Sequence, residues 1–242
     1  VVIPVMTSSA PLIELRSLVR SGSLGGVVLM DVAQGDEREA MLLDEEIPTV
    51  LIGSSGRAVG APGVDTDFVQ MAHASVEHLA GLGHRRIVAL MRETAYDDAH
   101  ARQDQAHELL RAAGDLGVDV LVRQVPELAL AGGDIVGADG LVEGCSAVIS
   151  NNPAAVVGLA CAAQAHGLSI PADLSVLTLG VTECRGRQGE SFSELSVDRE
   201  AMGAAVGSLL LARLRGEPDP VERRTLMPAF LRDRGSTARF RS

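Results

Sequence analysis

A handful of polar side chains stand where apolar runs give way to loops or helices, and their chemistry is that of hydrogen-bonded recognition. Arg102 offers a planar fork of donors suited to ligand hydroxyls or carboxylates, although Asp98 or Glu108 could pair with it on a helix face. Asn152 precedes Pro153, the arrangement of an N-cap before a proline at the first helical position, and a cap at a cleft edge still offers its amide NH₂. Asp67 could accept from a ligand, but capping the helix that starts near Val69 is the stronger reading. Asp31 closes an apolar run, and Tyr96, the only tyrosine, lies in a loop after another.

Bond-making chemistry has no such support. The sequence contains no G-x-S-x-G elbow, Walker A loop, HExxH or G-x-G-x-x-G, and Gly53-Ser-Ser-Gly56 is too short for a nucleophile elbow. His84, in Gly83-His-Arg-Arg86, reads as a polar residue closing a helix. Cys145, Cys161 and Cys184 show no metal-ligand spacing, and their odd number fits a reduced compartment. The expectation is therefore no enzyme activity, no cofactor and no metal.

The elements that must position these residues follow from periodicity. Val1 to Val5, Gly26 to Met30, Thr49 to Ile52, Arg86 to Leu90, Val118 to Val122, Ala147 to Ile149 and Leu174 to Leu179 are short, almost wholly apolar runs. Such runs are strands covered on both faces. Between them, Leu12 to Arg20, Glu37 to Glu45, Val69 to Leu82, Ala101 to Ala113, Ala154 to His166 and Arg199 to Arg215 carry helical spacing. Gly83 and Gly167 stand where a helix needs a left-handed stop. Strand–helix alternation predicts parallel sheets in an α/β protein. Residues 129–140 read as a loop with a weak helix, and residues 185–191 as a surface loop.

Composition narrows the partners. With 242 residues and 46% apolar content, the chain suits one large or two small domains. Its net charge of −11 repels phosphate backbones, so these residues are a poor DNA-binding surface. Aromatics at 2% leave little surface for stacking bases or sugar rings. The apolar runs are too short to span a bilayer, and no secretory leader is visible, which points to a cytoplasmic protein.

Several motifs in order resemble lactose-repressor-type (LacI/GalR) transcription regulators: Val64-Asp-Thr-Asp-Phe68, Gly81-Leu-Gly-His-Arg-Arg-Ile87, residues 147–158, Gly167 to Val176, residues 194–203, and the tail Leu226 to Thr237 with Arg234, Ser236 and Thr237. The resemblance implies a type I periplasmic-binding-protein-like fold: two doubly wound parallel-sheet lobes, joined by three crossovers, with a small-molecule effector in the cleft. It puts residues 1–64 plus 197–222 in one lobe and 65–196 plus 223–242 in the other. It also casts Arg102, Asn152, Asp67, Asp31 and Tyr96 as effector contacts. A homodimer follows by resemblance, with operator DNA reached only through a helix-turn-helix domain that these residues do not contain.

Some features depart from the family pattern. Val1 to Met6 reads as the second strand of the first lobe, so the first βα unit is expected to be missing. An acid common after the second-lobe strand is replaced by Leu179-Gly180-Val181, and the acid after Asn152 by Pro153, which argues against a typical pyranose effector. A periplasmic solute-binding protein, which shares the fold, is the main alternative, and a nucleotide-dependent α/β enzyme the more distant one.

Overall fold

The computed structural model describes residues 11–93, 100–137, 140–141, 144–180 and 191–240. Along the chain come α1 (Pro11–Arg20), β1 (Val27–Leu29), α2 (Glu37–Asp44), β2 (Thr49–Ile52), β3 (Gly63–Thr66), α3 (Phe68–Gly81), β4 (Arg86–Arg92), α4 (His100–Leu116) and β5 (Asp119–Val125). There follow α5 (Ala129–Gly133), the short strands β6 (Val136–Gly137) and β7 (Gly140–Leu141), β8 (Ala147–Ser150), α6 (Pro153–Ala165) and β9 (Ser175–Leu179). The chain ends with β10 (Ser193–Val197), α7 (Arg199–Leu214), β11 (Arg224–Met227) and β12 (Ala229–Arg232). The elements form two compact units, each a largely parallel sheet with helices as the strand–helix alternation predicts.

The first unit holds a four-stranded sheet in the order β1-β2-β3-β11, parallel throughout. Leu29, Leu42 and Leu51 centre its core, with Leu15 of α1 and Met41 of α2 packed in. Asp36 caps α2 by accepting from the Arg38 amide. In the loop between β2 and β3, the Ala61 amide donates to fully buried Glu39 at 2.8 Å, and Arg57 Nε faces the other Glu39 oxygen at 3.2 Å. A buried carboxylate held this way fixes the loop as well as the helix, since losing either partner would strand a charge away from water.

The second unit holds a six-stranded sheet in the order β12-β10-β9-β8-β4-β5, in which β12 alone runs antiparallel to its neighbour. Along β4 the side chains alternate between two cores. Ile87, Ala89 and Met91 pack with Met71, Leu79 and Leu109 of α3 and α4, whereas Val88 and Leu90 pack with Val156 and Leu159 of α6. This period of two explains why these strands read as unbroken apolar runs: each face meets a helix layer. Gly83 (φ 96°) and Gly167 (φ 74°) end α3 and α6 in the left-handed conformation that their positions call for.

Three sequence expectations need correction or completion. Residues 223–227 belong to the first unit rather than the second, because β11 pairs in parallel with β3, Thr225 opposite Val64 and Met227 opposite Thr66. The boundary near residue 64 likewise lies after Thr66, and the one near 196 lies after Asp198. The tail motif from Leu226 holds the end of β11 and all of β12, strands of different sheets parted at Pro228, which has no amide hydrogen to continue a ladder. The strand expected at Val1 to Val5 lies outside the described residues.

The tail's Arg-x-Ser-Thr residues are packing devices. Ser236 Oγ donates to the Val176 carbonyl and accepts from the Ser193 amide at 2.7 Å, while the Ser236 carbonyl accepts from the Val176 amide at 2.8 Å. Arg234 reaches buried Glu194 at 3.2 Å, and Thr237 Oγ1 meets His78 Nε2 at 3.0 Å. His84, buried, lies 3.1 Å from the Ala238 carbonyl through Nε2 and 2.7 Å from Ser146 Oγ through Nδ1. A carbonyl only accepts, so Nε2 carries the proton and Nδ1 accepts from the serine. Burial holds the His84 pKa below its ordinary value against the raising effect of the Ala238 bond, and nearby His78 adds to the depression. Burial lowers His78 as well, with Asp233 opposing.

Two outcomes are expected. Gly158 and Gly132 let α5 and α6 touch backbone to backbone, and a Cβ at Gly158 would fall inside the Ala129 carbonyl oxygen. Gly158→Ala is therefore expected to cost about 1–3 kcal/mol in urea unfolding. Because both histidines have folded pKa values below the unfolded value of about 6.5, their neutral forms add stability above that pH. That stability is lost as pH falls through the folded values. Melting temperature against pH should drop below about pH 6.5, and His84→Gln should flatten that drop.

Candidate functional site

Parallel strands packed on both faces leave their carboxyl ends as the open places for side-chain chemistry. In the first unit, the end of β1 leads to Asp31, a non-glycine residue at φ 47°. Arg38 holds this turn: its Nη2 donates to the Asp31 carbonyl at 2.9 Å while its fork grips Asp36, Nε to Oδ1 at 3.0 Å and Nη2 to Oδ2 at 2.6 Å. Burial pushes the Asp36 carboxyl up, but the Arg38 guanidinium and the amides of Ala33 and Arg38 outweigh it, leaving the pKa below its ordinary value. Asp36 is thus an anion committed to Arg38, and Arg57 Nη2 closes the same turn on the Gly35 carbonyl at 2.9 Å.

In the second unit the ends of β4, β8 and the start of α4 meet in a chain of amides. Asn151 Oδ1 accepts from the Arg92 amide at 2.7 Å, and Asn151 Nδ2 donates to Gln105 Oε1 at 2.7 Å. Gln105 is buried, whereas Asn151 and Arg92 are half-buried. Arg92 pairs with Glu127 at 3.3 Å, and its buried Nε has no hydrogen-bond partner among the described residues. Ser150 Oγ donates to the Leu90 carbonyl at 2.6 Å and accepts from the Asn152 amide at 3.0 Å. This edge therefore presents an amide, a guanidinium and a carboxylate, groups that bind polar molecules through hydrogen bonds.

The residues expected to contact an effector fare differently. Asn152 is the N-cap that its place before Pro153 predicts. Its side chain is fully buried, Oδ1 caps α6 by accepting from the Ala155 amide at 3.1 Å, and Nδ2 donates to the carbonyls of Val125 at 3.3 Å and Pro126 at 3.1 Å. Its amide nitrogen thus faces two backbone carbonyls. Its neighbour Asn151 holds the more accessible amide, one that sequence reasoning missed. The signal was present: Pro153 at the first helical position assigns the cap to Asn152, which leaves Asn151 as the last residue before it.

Asp67 accepts from the Gln70 amide at 2.9 Å and caps α3. Asp31 is exposed in its left-handed turn. Arg102 lies in the first turn of α4, its side chain outside the described residues, and Tyr96 is outside them altogether. Arg92 and Gln105 carried no motif, because their roles come from strand and helix ends brought together by the fold. The contacts of His84 with Ser146 and Ser175 Oγ (3.0 Å) resemble a nucleophile–base pairing. They lie at the amino ends of β8 and β9, and the ring is 2% exposed. Among the described residues no group of three His, Cys, Asp or Glu side chains is placed to hold a metal ion.

Comparison with known proteins fits this architecture. Residues 76–237 match the periplasmic binding protein-like domain. The chain belongs to that family. A curated relative, an HTH-type transcriptional regulator from the aml 5′ region of Streptomyces limosus, is 27% identical over 207 residues, covering 81% of this chain. The chain spans only 58% of that relative's length. A solved regulatory protein of the LacI family from Chloroflexus aggregans superposes with a TM-score of 0.79 at 23% identity, over 97% of this chain and 85% of the other. A LacI family regulator from Enterococcus faecium, solved with bound ribose, gives 0.76 at 19% identity, over 95% and 85%. These similarities show the two-sheet α/β fold expected from the sequence. No described helix is long and apolar enough to cross a membrane.

The Asn pair separates structural from surface chemistry. Asn152→Ala should lower unfolding free energy by about 1–2 kcal/mol, because it removes a cap and two buried bonds. Asn151→Ala, at a half-buried site, should cost less in the same denaturation series.

Proposed function

We propose that this chain is the effector-sensing part of a LacI/GalR-type transcription regulator. The observation that carries the reading is the membership of a binding-protein family by a chain whose curated relative is named a transcriptional regulator. The amide-rich carboxyl edge of the second sheet supports it, because Asn151, Gln105 and Arg92 supply donors and acceptors without an activated nucleophile. A small polar metabolite of the sugar class is the effector this surface suits, and the ribose-bound neighbour supports that class. The acids missing around Pro153 and Gly180 shift recognition toward amide and guanidinium donors.

Output follows by linkage: an effector that binds one conformation better than another shifts the population toward it, and DNA affinity changes in proportion. With a net charge of −11, DNA contact belongs to a helix-turn-helix part outside these residues. The regulator works as a cytoplasmic homodimer without catalytic activity. A periplasmic transport role has less support, since the curated relative is named as a regulator.

The full-length protein should retard DNA from upstream of its own gene in a mobility-shift assay. A panel of pentoses, hexoses and disaccharides should include one that changes the retardation and raises the melting temperature. Asn151→Ala should weaken that sugar's effect about tenfold, as expected for a lost hydrogen bond to a ligand, while leaving sugar-free DNA binding unchanged. Absence of DNA retardation under every condition would refute the reading.

A further inference from the structure

Two of the places where the chain passes from one unit to the other are separate in sequence yet bound together on both sides. The passages are at Thr66–Asp67, after β3, and at Met227–Pro228, after β11. On the first unit's side the two strands run in parallel register up to the last residue before each passage, Thr66 opposite Met227. Asp65, buried, accepts from Arg224 Nη2 at 2.7 Å across the same two strands, and its other oxygen accepts from the Thr66 amide at 2.8 Å.

On the second unit's side the strands end, and a side chain takes over. Gln70, in the first turn of α3, donates from Nε2 to the Ala229 carbonyl at 3.1 Å and accepts at Oε1 from the Ala229 amide at 2.9 Å. One primary amide thereby closes both backbone bonds of a single residue, as a neighbouring strand would. The backbone beside each passage is also restrained: Asp67 caps α3, and Pro228 fixes its own φ while holding Met227 extended.

We propose that Gln70 is a positioning residue that clasps the two passages into one paired connection, so that a displacement of either is carried to the other. Without Gln70 the two passages would be tied only on the first unit's side, by β3 and β11. The Asp65–Arg224 pair and the Gln70–Ala229 pair bracket the crossing points within a few residues on either side, which denies each linker its own torsional freedom. The clasp is independent of which metabolite the protein senses, and it gives binding in one unit a mechanical route along both connections at once.

Hydrogen–deuterium exchange on the intact chain tests it, comparing wild type with Gln70→Leu and Gln70→Glu. Gln70→Leu removes both bonds at near-constant volume, and exchange at the Ala229 amide should rise about tenfold. The distinguishing result is a concurrent rise at Asp65, Thr66, Leu226 and Met227, in the other unit, while Ile87 to Leu90 of β4 stay within about twofold of wild type. At neutral pH Gln70→Glu keeps an acceptor for the Ala229 amide but loses the donor, so it should fall between the other two at all of these positions. If Gln70→Leu fails to fold, the Gln70→Glu comparison decides. A rise confined to Ala229, or one spread evenly through β4 and β8, would overturn the proposal.

Discussion

A parallel strand sandwiched between helices has no free face, and that constraint organises this protein. In β4 the side chains of Val88 and Leu90 go to one core and those of Ile87, Ala89 and Met91 to the other. Polar chemistry is thereby pushed to the strand ends. The carboxyl ends carry Asp31, Arg92, Asn151 and Asn152, and the amino ends carry His84, Ser146 and Ser175. The two ends then take different tasks. At the amino ends the polar groups turn inward and stitch the C-terminal tail to the sheet, and at the carboxyl ends some of them remain accessible.

Primary amides carry much of this organisation because each offers a donor and an acceptor in the spacing of a peptide group. Asn152 replaces missing backbone partners at the start of α6 and at the end of β5, and Gln70 does so beside Ala229. Asn151 and Gln105 join a strand end to a helix in the same way. A buried amide of this kind is worth little when paired and costs much when stranded, so its geometry is closely specified. Buried Glu39 follows the same logic with a charge, held between the Ala61 amide and Arg57.

Net acidic charge and a scarcity of aromatic side chains narrow what this chain can bind. A net charge of this sign repels phosphate backbones, and few aromatic faces are left for stacking. Membership of the periplasmic binding protein-like family accounts for the two-sheet architecture.

Local rules made most of the elements legible. Unbroken apolar runs marked β2, β4, β8 and β9, helical spacing marked α1 to α4, α6 and α7, and glycines at helix ends marked the left-handed stops. These features depend on neighbours within a few residues, so the sequence alone determined them, together with the α/β class and the order of motifs. Strand partnership was different. That β11 joins β3 while β12, two residues later, joins β10 depends on contacts more than a hundred residues apart in one case and about thirty in the other. The same holds for the accessible amide: Asn151 and Asn152 are chemically identical, and only the packing of β5 against the start of α6 decides which of them is consumed. Period and capping are written locally, whereas pairing and exposure come from the whole chain closing on itself.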